Sequence, residues 1–173
     1  MEQFLVILRG TPASGKSTLA KKFRDFSKKI AWLKVDNYKD FFSEDGSVAL
    51  EYVNGASVAT LKYLLGQGFS VVMEGVFQDT KAIDQALLFA KEKNVKTIIY
   101  QLKCSLSTLR ERDKERPGIK EGVRKPMDEH ALEEIFQKLS QNVYPSAQVL
   151  DTENQTLDQC LQKINIDLEN FSN

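Results

Sequence analysis

Apolar residues along this chain come in two alternating rhythms. Short, nearly unbroken runs occupy Phe4–Leu8, Ile30–Val35, Phe69–Met73, Thr97–Leu102 and Ala147–Leu150. Runs of this length predict strands buried on both faces of a parallel sheet. Between them, apolar side chains return every three or four positions, which predicts helices. The first such set is Leu19, Phe23 and Phe26, with the basic pair Lys28-Lys29 suited to a helix end. Val58, Leu61 and Leu65 form the next, running up to the stop at Gly66-Gln67-Gly68. Asn54-Gly55 leaves the start of that helix open between a cap and an interruption. Ile83, Ala86, Leu87 and Ala90 mark another. Ser105 is placed to cap a helix running through Arg116, and Asp128 to open one carrying Leu132, Ile135, Phe136 and Leu139. Leu157, Cys160, Leu161 and Ile164 mark the last, after which the tail to Asn173 is expected to fray. Residues 43–47 read as a loop. Strands alternating with helices predict an α/β fold.

Composition adds limits rather than an assignment. At 173 residues and 42% hydrophobic, the chain fits one domain spanning 1–173 with an ordinary core. Lys and Arg number 24 against 24 Asp and Glu, so no global field draws the protein to nucleic acid or an anionic membrane. Long nucleic acid is therefore not expected as a partner. No apolar run reaches membrane-spanning length. Glu2 stands where a signal peptide carries positive charge, and the expected location is cytoplasmic. Cys104 and Cys160 lie far apart with no CxxC pattern and read as buried, reduced thiols.

The chemistry starts at Gly10-Thr11-Pro12-Ala13-Ser14-Gly15-Lys16-Ser17-Thr18, which has the spacing of a phosphate-binding loop. The glycines let backbone N–H groups turn inward around a polyphosphate. Lys16 is placed to reach the β- and γ-phosphates, and the Ser17 hydroxyl to ligate the accompanying Mg²⁺. A strand before the loop and a helix after it supply the required context, with the helix N-terminus aimed at the phosphates. Asp36 follows the second strand and Glu74 the third, so both should face the same crevice beyond the strand ends. Asp36 there suits an acceptor base, ahead of the alternative of a cap or turn former; Asp40 competes with it for the role of base. Glu74 suits a metal-bound water. Arg112 and Arg116, four apart, would share a helix face and clamp phosphate, or simply pair with Asp113 and Glu115. From Arg116 to Pro126 the chain is basic and interrupted by Pro and Gly, the composition of a mobile lid. Phe41 and Phe42 could wall a pocket or pack in the core, and His130 reads as a helix-surface residue.

Taken together, Gly10 to Thr18, Val35-Asp36, Val71-Val72-Met73-Glu74-Gly75 and Arg112 to Arg116 resemble a family of small phosphate-loop kinases. That family includes polynucleotide kinases, zeta-toxin kinases, chloramphenicol phosphotransferase and gluconate- or shikimate-kinase-like enzymes. The resemblance spans nearly the whole chain. It implies a P-loop NTPase three-layer sandwich whose five-stranded parallel sheet has the order 2-3-1-4-5, with a small lid at about 116–126. It also implies an ATP- and Mg²⁺-dependent kinase acting on a hydroxyl of a small molecule or a nucleic-acid end. In such an enzyme Asp36 is the general base, Lys16, Arg112 and Arg116 stabilise charge, and Asp151-Thr152 lead into the base pocket. Many relatives carry Asp where this chain has Glu74. Two other classes are a nucleotide-binding regulatory module and an ATPase without an acceptor. A GTPase switch would carry Asp-x-x-Gly and Asn-Lys-x-Asp elements, and neither occurs here.

Overall fold

The computed structural model describes residues 2–42, 49–116 and 125–170. Its strands are β1 (Phe4–Arg9), β2 (Ile30–Lys34), β3 (Ser70–Gly75), β4 (Lys96–Lys103) and β5 (Gln148–Asp151). The helices are α1 (Lys16–Arg24), α2 (Leu50–Gly66), α3 (Lys81–Glu92), α4 (Leu106–Lys114), α5 (Glu129–Gln141) and α6 (Leu157–Asn170), with a 3-10 helix over Val35–Phe41. All strand pairs are parallel, and the sheet order is β2-β3-β1-β4-β5. This is the α/β fold of phosphate-loop NTPases, in the predicted strand order.

Side-chain alternation on the central strand builds the three layers. Leu5 and Ile7 point to one face, where they join Val58 and Leu61 of α2 and Ile83 and Ala86 of α3. Phe4, Val6 and Leu8 point to the other, against Leu19 and Phe23 of α1 and Leu161 and Ile164 of α6. Each of the Val, Leu, Ile and Phe side chains among them stabilises the fold by roughly 1.5–3 kcal/mol relative to exposure. A third, smaller cluster of Cys104, Leu109 and Leu132 seats α4 and α5 beside Ala13 of the phosphate loop. All five strands run the same way, so their carboxyl ends meet along one edge. Ligands of open α/β sheets bind at that edge.

Some boundaries move from those predicted. The first helix stops at Arg24, not near Lys28-Lys29, because Asp25 and Phe26 close turns back onto the Lys22 and Phe23 carbonyls. Phe26 is left 53% exposed, edge-on to Phe23 at 5.6 Å. Asn54 and Gly55 lie inside α2, whose buried face of Val53, Ser57 and Val58 outweighs the cost of a helical glycine, about 1 kcal/mol. The Ser105 cap is present, its hydroxyl accepting from the Thr108 N–H at 3.2 Å, but α4 ends at Lys114 rather than Arg116. Asp128 caps α5 through the N–H groups of His130 and Ala131. Phe41 and Phe42 are exposed rather than packed in the core. The loop at 43–47, residues 117–124 of the lid expected at about 116–126, and the end of the tail lie outside the described residues.

Candidate functional site

The turn between β1 and α1 is built by close backbone approach. A Cβ at Gly10 would stand 2.8 Å from Ser14 Oγ and 3.1 Å from the Leu102 carbonyl, so the loop lies against β4 only because residue 10 has no side chain. Gly15, at φ 91°, takes the left-handed conformation that lets the chain enter α1. Ala13 adopts φ 66°, a strained choice for a residue with a side chain, of the kind found at ligand sites. No side chain caps α1, and its first N–H groups face the loop as anion donors.

Lys16 folds back over this turn. Its Nζ donates to the carbonyls of Gly10 at 2.8 Å and Thr11 at 2.9 Å. Burial pulls the ammonium below its usual pKa, while the carboxylates of Glu74 and Asp36 pull it back up. Beside it, the Ser17 hydroxyl donates to Glu74 Oε1 at 2.6 Å, joining the loop to the end of β3. Those hard oxygens fit Mg²⁺, and the turn of N–H groups with its lysine fits a triphosphate.

A cavity of about 1470 Å³ opens in front of these groups. Pro12, Ala13, Gly15, Lys16, Ser17 and Thr18 line it, whereas Gly10, Thr11 and Ser14 lie behind them in the interior. Asp36 stands on its wall together with Glu74, and its carboxylate pairs with Lys39 at 2.8 Å. Asp40 lies four residues along the 3-10 helix, exposed and off the cavity wall.

The two arginines diverge. Both reach the cavity, but Arg116 lies beyond the end of α4 and pairs with Asp113 through Nε at 3.0 Å. Arg112 Nη2 donates to the Thr152 carbonyl at 2.7 Å. Thr152 lines the cavity, while Asp151 turns away to accept from the N–H groups of Glu153 and Asn154 and from the Asn154 amide. Those contacts hold the Asp151 carboxyl below its ordinary pKa, the Asn154 side chain first among them.

Two residues escaped sequence reasoning, and a third, Asp113, was foreseen only as an ion-pair partner of the arginines, not as a buried acid. Arg9 is wholly buried; it donates to the Phe77 carbonyl at 3.0 Å, Gln101 Oε1 at 2.9 Å and the Asn142 carbonyl at 2.6 Å. Its signal was a cation ending an apolar strand, in register with the polar Gln101 of β4. Glu153 ties the loop after β5 to α4, accepting from the Ser105 N–H and from both the Ser105 and Thr108 hydroxyls. Asp113 is a buried acid in the last turn of a helix, where the dipole disfavours it. That mismatch was legible.

Comparison with known proteins agrees with this architecture. The model of a family described as AAA domain matches residues 5–141. A gluconokinase from Sinorhizobium meliloti superposes with a TM-score of 0.68 at 16% identity, covering 98% of each chain. The Deinococcus radiodurans tunicamycin resistance protein gives 0.67 at 12% identity, covering 96% of each. A chain of the Pnkp1/Rnl/Hen1 RNA repair complex gives 0.63 at 19% identity, over 82% of this chain and 46% of that one. No curated protein matches the sequence significantly. With most of its length matched by the family model, and its strand order and phosphate loop those of kinase-like folds, the chain belongs to the AAA-domain family of phosphate-loop proteins.

Proposed function

We propose that the whole chain, 1–173, is one kinase domain that transfers the γ-phosphoryl group of ATP to a hydroxyl. The observation that carries this reading is the presence of Asp36 on the wall of the cavity that also holds Lys16 and the Ser17–Glu74 pair. A carboxylate there can orient and deprotonate an acceptor hydroxyl, a role that a nucleotide binder performing no transfer does not require. In the proposed reaction Asp36 takes the acceptor's proton as its oxygen bonds to the γ-phosphorus, and the bond to the β–γ bridging oxygen breaks to release ADP. Lys16, Arg112 and Arg116 supply positive charge where negative charge develops. Ser17 and Glu74 would hold Mg²⁺, which contributes charge neutralisation on the phosphates. The loop backbone from Gly10 to Thr18 would cradle the phosphates, and the segment at Asp151-Thr152 would flank the base, with Thr152 on the cavity wall.

Structural neighbours are named for gluconate, for tunicamycin resistance and for RNA repair, which supports a small-molecule hydroxyl or a nucleic-acid end as acceptor. The balanced charge favours such acceptors over long polynucleotides, whose binding leans on many basic contacts. Among the described residues no helix is long and apolar enough to cross a membrane. The reading places the enzyme in the cytoplasm, where ATP is supplied.

The test is an acceptor screen coupled to ADP release, over sugars, nucleosides, oligonucleotide 5′-ends and antibiotics, followed by Asp36→Asn and Asp40→Asn. Asp36→Asn is expected to lower transfer by about 10²-fold with nucleotide affinity nearly unchanged. Asp40→Asn should stay active. A dead Asp40 variant beside an active Asp36 variant reverses the assignment, and acceptor-independent ATP turnover indicates an ATPase instead.

A further inference from the structure

Asp113 is 3% exposed, in the final turn of α4. A carboxylate so far from water is costly unless its oxygens are engaged. One oxygen is hydrogen-bonded and the other only ion-paired, by residues on either side of 117–124. Oδ2 accepts the backbone N–H of Met127 at 2.6 Å, and Oδ1 lies 3.0 Å from Nε of Arg116. Arg116 and Met127 both line the cavity, and Asp113 does not. A buried acid thus holds two residues of the wall from behind.

We propose that Asp113 is a positioning residue, which aims the Arg116 guanidinium at the phosphate loop and fixes the chain where it enters α5. The inference rests on the kinase reading above. Contact through Nε leaves the terminal N–H groups of the guanidinium for an anion. The contact itself is close but poorly aligned, since Oδ1 accepts no well-formed hydrogen bond. Arg116 is therefore held near the wall by charge without being locked there, and its side chain remains 20% exposed. Its charge is also felt at Lys16, where it opposes protonation, so the two cations serve one region. Arg112 differs, donating through Nη2 to the Thr152 carbonyl on the same cavity wall. Of the two arginines, Arg116 is the one whose direction is set by a carboxylate.

The test needs no acceptor. Affinity is measured for Mg²⁺ with a non-hydrolysable ATP analogue, and for ADP with Mg²⁺ and aluminium fluoride, which mimics the phosphoryl group in flight. Asp113→Asn keeps the volume and an oxygen for Met127 but removes the charge. It is expected to weaken the aluminium fluoride complex by about tenfold while the ATP analogue binds within about twofold of wild type. Combining it with Arg116→Ala should cost no more than Arg116→Ala alone, because both act through one guanidinium. Equal affinity of Asp113→Asn for the mimic, or costs that simply add, overturns the inference. Should Asp113→Asn fail to fold, Asp113→Glu, which keeps the charge but displaces it, is read by the same criteria. A wild-type chain that binds neither nucleotide form removes the kinase reading, and this inference with it; normal wild-type binding with an indifferent Asp113 removes the inference alone.

Discussion

At the scale of single residues, Lys16 concentrates the physics of the site. It is a buried ammonium whose nearest partners are two carbonyls of its own loop, and the carboxylates of Glu74 and Asp36 offset part of its desolvation. Lys16→Ala is expected to weaken binding of an ATP analogue by tenfold or more, about the 1.5–3 kcal/mol of a charged hydrogen bond. Isothermal titration of the folded variant checks this, and wild-type affinity would place nucleotide binding elsewhere. Lys16 and Ser17 were legible because the loop's chemistry fixes residue types at fixed spacing. Asp36 and Glu74 were legible because a strand end is visible as the place where an apolar run stops. The ion pair from Asp36 to Lys39 was not, since a partner three residues along a 3-10 helix depends on a local geometry that the sequence does not announce.

At the scale of elements, Arg9 joins what strand pairing alone leaves separate. It ends β1 and reaches the loop after β3, the neighbouring β4 and the residue that follows α5. Burial lowers the pKa of this guanidinium, a cost set against its three acceptors. Arg9→Met preserves most of the volume but leaves the Phe77 and Asn142 carbonyls unpaired. The expected loss is roughly 2–6 kcal/mol, at about 1–3 per buried orphaned group, read as a lower urea midpoint. An unchanged midpoint would show that α5 and the β3 loop hold their places without it. The strands and helices themselves were largely legible, because apolar runs and 3.6-residue repeats are strong signals. Helix ends were less so. Phe26 keeps the helical spacing of Leu19 and Phe23 yet lies past the end of α1, since periodicity cannot see the turn that Asp25 makes.

At the scale of the whole molecule, the strand order came from the resemblance to a family and is the order found. The cavity's shape was not legible, because its walls come from segments after different strands, Asp36 and Glu74 among them, that meet only in the folded sheet. That same order has a consequence for how the protein is made. β1 pairs with β3 and β4, as in Leu5 with Val71 and Arg9 with Gln101, and with neither β2 nor anything earlier. During synthesis the central strand and its phosphate loop emerge long before their neighbours. At about 5–20 residues per second, the first strand waits on the order of 5–20 seconds for the fourth. Until β3 is made it is an apolar segment with both edges bare, and until β4 is made one edge stays open to mispairing. Ribosome-stalled chains ending before β4 should neither bind an ATP analogue nor resist protease, whereas chains extended beyond α6 should do both. The part of the sequence that most clearly announces a nucleotide site is thus among the first to be translated and among the last to become one.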